Sequence, residues 1–187
     1  MATSNESLDD VNTAEKIAAT YLRLNGFLLL PHFTVFDGNE HNHIDLIALR
    51  AAHSAERVGE LKLPVDELFF SLVSKHLDVD AFTVSFAIIA EVRTNKDRDI
   101  PSPAHIQYAM NFLGSVPSMP VSFAKDQTGL KPDPSGLRIG NAYAMQWILQ
   151  RIKWMDSQKM HLTKTGSWAW SEDFLSDILV LRDLRLK

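Results

Sequence analysis

The chain has 187 residues, 45% hydrophobic and 22% charged, the proportions of an ordinary globular protein with one domain, or one domain and an extension. It contains no cysteine, which excludes disulfide scaffolds and thiolate zinc sites. Its net charge of −4 excludes a surface that is one continuous nucleic-acid footprint, but allows a local site where a metal ion supplies positive charge.

The start, MATSNESLDD, reads as a solvated segment without the basic and apolar regions of a signal peptide. Asn12 or Thr13 then caps a helix through AEKIAATYLRLNG, with Ile17, Tyr21 and Leu24 on one stripe and Gly26 as its stop. FLLL and FTVF form a strand interrupted by Pro31, Asp37–Asn39 turns, and HIDLIAL (43–49) returns as a strand apolar on both faces except at Asp45. RVGELKL alternates like a short edge strand of an inserted segment, VDELFFSLVSKHL has helical spacing, and FTVSFAIIAEV is a buried strand. Ser102 and Pro103 open a helix that ends on Gly114. Val121–Ala124 reads as an edge strand and KDQTGLKPDPSG as a loop. NAYAMQWILQRIKWM and SEDFLSDILVLRDL read as two amphipathic helices. No apolar run nears the roughly 20 residues of a membrane span. The chain is therefore expected in the cytoplasm, as a single domain over 1–187 with a core at about 12–125 and a C-terminal helical extension at about 137–187. Helix, strands with polar ends, and helix again imply an α/β protein with layers packed on a sheet.

Three acids stand where a core would not place them. Glu15 is in the first helix, Asp45 in a buried strand, and Glu91 at the end of another, with Arg93 two residues on. An ionised carboxylate buried without a partner costs several kcal/mol, roughly. Carboxylates from two strands and a helix make the oxygen cage that Mg²⁺ prefers, and such a cage suits phosphodiester hydrolysis. Each acid also has a structural alternative. Glu15 lies three residues after Asn12, the spacing of a capping box, Asp45 could sit in a buried salt bridge, and Glu91 with Arg93 could be an ion pair at a solvated strand end.

In this order, AEKIAATYLRLNGF, HIDLIAL and FAIIAEVR resemble the PD-(D/E)xK nuclease superfamily. That family carries an acid in the first helix, an apolar strand with Asp, and a strand ending Glu-x-Lys. The resemblance implies a three-layer α/β/α sandwich with a central mixed sheet, the restriction-endonuclease-like fold. It implies a metal-dependent phosphodiester hydrolase acting on nucleic acid, DNA first, with Mg²⁺ or Mn²⁺. Asp45 and Glu91 would be ligands, Val92 would offer its backbone carbonyl, and Glu15 would orient the shell. No membrane partner is expected, and a homodimer is compatible with this reading.

One position departs from the pattern: Arg93 stands where the family has lysine. Arginine cannot deprotonate and so cannot act as a base, but it can brace a phosphate with fixed donors. Lys96 could replace the lysine only if the strand has already ended. A second acid, Glu60, followed by Lys62, restores the motif nearer Asp45 in sequence, and Lys62 could also reach a site built on Glu91. A catalytically degenerate member, acting as a nucleic-acid-binding or protein-interaction module, is the alternative function. Gln107 and Tyr108, on the helix after Glu91, could line a groove. Trp147, Trp154, Trp168 and Trp170 could stack on bases, though helix packing accounts for the first two. EHNH (40–43) is not the nuclease motif of similar letters, and His41 with His43 is a weak metal pair.

Overall fold

The computed structural model describes residues 8–37, 40–54, 57–58, 60–93, 102–125 and 127–158. Among them are four helices, α1 (Leu8–Leu24), α2 (Glu67–Leu77), α3 (Pro103–Leu113) and α4 (Asn141–Ser157). The strands are β1 (Leu28–Asp37), β2 (Glu40–Arg50), β3 (Arg57–Val58), β4 (Leu61–Lys62), β5 (Phe86–Arg93), β6 (Ser118–Ala124), β7 (Leu130–Asp133) and β8 (Gly136–Gly140). Six of them form one mixed sheet in the order β1-β2-β5-β6-β8-β7, and β3 and β4 pair as a separate hairpin. The protein is thus α/β, and its layout is compatible with a three-layer sandwich. The chain divides into two compact units, Met1–Ile148 and Leu149–Lys187; the whole sheet belongs to the first. No helix among the described residues is long and apolar enough to cross a membrane.

Four expectations change. Helix α1 starts at Leu8, before Asn12, so Asn12 is inside the helix and Glu15 has no capping box to complete. The segment LDDVNTAEK holds no glycine or proline to stop the helix growing backward. Pro31 does not divide β1, which is one strand of ten residues; it lies on an outer strand of the sheet, where a missing N–H is tolerated. Strand β6 is internal, parallel to both β5 and β8. The supposed loop is the β7–β8 hairpin, turned by Asp133 Oδ1, which accepts from the Ser135 N–H at 3.0 Å, and by Gly136, where a Cβ would run into the Pro120 carbonyl. The expected helix SEDFLSDILVLRDL, with Trp168 and Trp170, lies outside the described residues.

Two apolar clusters pack on the sheet. In one, Tyr21 of α1 meets Phe69 of α2, Phe123 of β6 and Trp147 of α4 edge-on at 5.4–6.0 Å between ring centroids, and Phe27 extends it to Phe86 of β5. Trp147 is therefore a packing aromatic. The other holds Val35, Ile44, Ile47, Ile89 and Ala109 of α3, with Phe33, Ile106 and Leu113 around them. Phe86 and Ile89, three apart on β5, fall in different clusters, in keeping with alternation across the pleat, whereas Ile44 and Ile47, three apart on β2 on either side of Asp45, share one.

A buried polar junction fixes α1 against α2 and the start of α4. Asp66 is the N-cap of α2 and accepts from the Phe69 N–H at 3.1 Å. It also accepts from the Tyr21 hydroxyl at 2.7 Å and the Tyr143 hydroxyl at 2.9 Å, while its own N–H donates to Asn25 Oδ1 at 2.7 Å. Burial and the Asp66 charge push both phenols above their ordinary pKa, so both remain donors. Arg50, at the end of β2, donates to the carbonyls of Asn25, Ala81 and Ser54 and lies 4.5 Å from the centre of the Phe70 ring. Asp66→Ala removes the cap and leaves one buried hydroxyl, that of Tyr21, and one half-buried hydroxyl, that of Tyr143, without their acceptor. It should lower stability by about 2–4 kcal/mol, measured by urea denaturation, whereas Asp66→Asn should retain part of that.

Candidate active site

Strand β2 lies between β1 and β5, and Asp45 marks a gap on both of its sides. On one side the pairs run Pro31↔Leu46 and then Phe33↔Ile44, so His32 faces Asp45 with no pair formed. On the other side the ladder from Phe86↔Arg50 ends at Ala90↔Leu46, and the next position in register sets Asp45 opposite Glu91. Asp45 Oδ2 fills the opening by accepting from the Val92 N–H at 2.6 Å. The carboxylate thus takes up a backbone donor at the point where pairing stops.

Glu91 is 3% exposed, and its carboxyl is pushed up to about 7, first by burial and then by the Asp45 charge, against the lowering influence of Arg93. A proton on Glu91 is further held by a hydrogen bond to Asp45. Two carboxylates this close do not ionise independently. Arg93 Nη2 lies 2.9 Å from Glu91 Oε2, while its Nε is buried without a hydrogen-bond partner. Glu15, half-buried on α1, is also raised, by burial and then by Asp45, with His32 pulling the other way; His32 Nε2 lies 3.9 Å from Glu15 Oε2. The structure therefore brings Glu15, Asp45, Glu91 and Arg93 together.

The alternative acid is elsewhere in the fold. Glu60 and Lys62 are exposed, and Lys62 belongs to the β3–β4 hairpin rather than to a strand paired with β2. Lys96 lies outside the described residues. Gln107 is exposed on α3 and donates to Asn111 Oδ1 at 3.0 Å, and Tyr108 lies against Phe33. His43 is exposed on β2.

Two participants escape a reading of sequence alone. His32 is one; its only signal is that it follows Pro31. Ser122 is the other, the register partner of Glu91 across β5 and β6, which places it beside Glu91 on the same face. It is fully buried, and its hydroxyl has no hydrogen-bond partner. A hydroxyl inside the apolar run MPVSFA was the available sign.

Among the described residues, no group of three or more His, Cys, Asp or Glu side chains is arranged to hold a metal ion. The donors at Asp45 and Glu91 are nonetheless all oxygen, and a hard cation that keeps its waters needs only one or two carboxylates. The chain matches no protein-family model, no curated protein and no solved structure.

The raised Glu91 carboxyl makes stability depend on pH. Between about pH 4.5 and 7 the folded protein keeps a proton that the unfolded chain releases, so this group's contribution falls as pH rises through that window. Glu91→Gln should accordingly be more stable than the native protein at pH 8, with the gap closing by pH 4, in urea denaturation at the two pH values.

Proposed function

We propose that the protein is a metal-dependent phosphodiester hydrolase of the restriction-endonuclease-like type, acting on nucleic acid, with DNA as the first substrate to test. The observation that carries this reading is the facing pair Asp45 and Glu91 at the end of the β2–β5 ladder. Burial, and then the neighbouring Asp45 charge, raise the proton affinity of Glu91, and a divalent cation held between the two carboxylates would offset the repulsion between them. The order of the chain supports it too. An acid on the first helix, the Asp strand, the Glu strand and a capped helix occur in that order, with β3, β4 and α2 inserted between the two strands.

On this reading Asp45 and Glu91 would hold Mg²⁺ or Mn²⁺ through carboxylate oxygens, with the Val92 backbone carbonyl as a further oxygen donor. The Val92 N–H, donating to Asp45 Oδ2, fixes the direction of that carboxylate. The cation, when bound, supplies polarisation of a phosphoryl oxygen and a lowered pKa for the attacking water. Arg93, next to Glu91, would brace the negative phosphate oxygens with its fixed N–H donors. Glu15, protonated more readily than an ordinary glutamate, is a hydrogen-bond donor or acceptor at the edge of the site.

One observation favours a second reading, a nuclease-like fold that binds nucleic acid or protein without cutting. Arg93 occupies the lysine position and is bound to Glu91 in an ion pair, so the motif's cation neutralises a proposed ligand. The two readings separate in one assay. Purified protein incubated with plasmid and single-stranded DNA and with Mg²⁺ or Mn²⁺ should cleave, and Asp45→Ala and Glu91→Ala should each lose at least ~10²-fold in rate. Cleavage unchanged in both variants defeats the hydrolase reading, and absence of cleavage together with absence of metal binding by calorimetry supports the second one.

A further inference from the structure

Among the described residues, three non-glycine residues have positive φ: His32, His53 and Asp78. Asp78 is the left-handed cap that ends α2, a common position for that conformation, and His53 lies in the turn after β2. His32, at φ 51°, is inside a strand, where such a conformation costs on the order of 1–2 kcal/mol and has no local use. Its location is specific. The kink falls on the one β1 residue opposite Asp45, and it brings the imidazole to 3.9 Å from Glu15 while leaving that side chain 67% exposed. An imidazole that served only to pair with Glu15 would gain little from such exposure. Beside the same acids, Ser122 keeps a fully buried hydroxyl without a partner next to Glu91, and a buried polar group left unpaired calls for a ligand or water.

We infer that His32 is a substrate-contacting residue of this site, its backbone held in a left-handed kink so that the imidazole meets a phosphate of the nucleic acid lying across Glu15 and Asp45. This rests on the hydrolase reading. It gives the site an exposed imidazole donor on β1 that complements the arginine already committed to Glu91.

Glycine accepts the kinked backbone without strain, so His32→Gly separates the imidazole from the conformation, and His32→Ala removes the imidazole while keeping the strain. Each variant is measured for Mg²⁺-dependent cleavage, for melting temperature, and for affinity toward a fluorescein-labelled oligonucleotide in Ca²⁺. Both variants should cleave ~10²-fold more slowly and bind the oligonucleotide more weakly, while His32→Gly melts at or above the native temperature and His32→Ala below His32→Gly. Native-rate cleavage by His32→Gly overturns the inference. If the native protein cleaves nothing, the hydrolase reading fails separately and the binding measurement decides, an oligonucleotide affinity unchanged in His32→Gly overturning the role of His32.

Discussion

Asp45 is held in place by everything around it except its own ladder positions. The backbone on either side is paired, Leu46 to both Pro31 and Ala90 and Ile44 to Phe33, so the strand cannot retreat from its neighbours. Its carboxylate must therefore share space with Glu91, and both Glu91 and Glu15 are raised, first by their burial and then by the Asp45 charge. Like charges in a poorly solvated place are tolerated only where the rest of the structure over-determines their positions. Here the apolar clusters on the sheet supply that rigidity, since Ile44 and Ile47, flanking Asp45, and Ile89, two residues before Glu91, are all core.

The junction around Asp66 works at longer range. Glu15 can approach Asp45 only if α1 is fixed against the sheet, and α1 is fixed two turns later, where Tyr21 and Asn25 bind Asp66. Arg50 closes the same region from β2, five residues beyond Asp45, by binding the Asn25 carbonyl. Helix α1 and strand β2 are thus tied at one end, which sets how their acids meet at the other. The buried polar groups are satisfied largely by backbone partners, the arrangement in which such networks specify one packing.

Much of this was legible in the residues. Ser102 and Pro103 announce α3, and the apolar strands around Asp45 and Glu91 announce both a buried sheet and two acids out of place in it. Those signals are local, carried by cap chemistry and by a period of two or 3.6. What escaped was set by pairing. Whether β6 is an edge depends on β8 reaching it, and β8 sits in a stretch whose Pro134, Ser135 and Gly136 look like loop because they form its turn. The choice of Glu91 over Glu60 as the neighbour of Asp45 likewise depends on which strand lies beside β2, a property no spacing encodes. His32 and Ser122 were hidden for the same reason, one by a backbone conformation and the other by a register.

The kink at Pro31 and His32 has a second consequence, for self-association. Strand β1 is an outer strand of the sheet, and Leu28 and Leu30 on it are exposed, the former at 72%. A straight apolar edge of ten residues is a template on which another chain can add a strand. Proline removes one donor from that edge, and the left-handed residue after it turns the backbone out of the line a docking strand would follow. The strand continues past this point, but its free edge is interrupted there, and the irregularity beside Asp45 works against fibril-like stacking of one copy on the next.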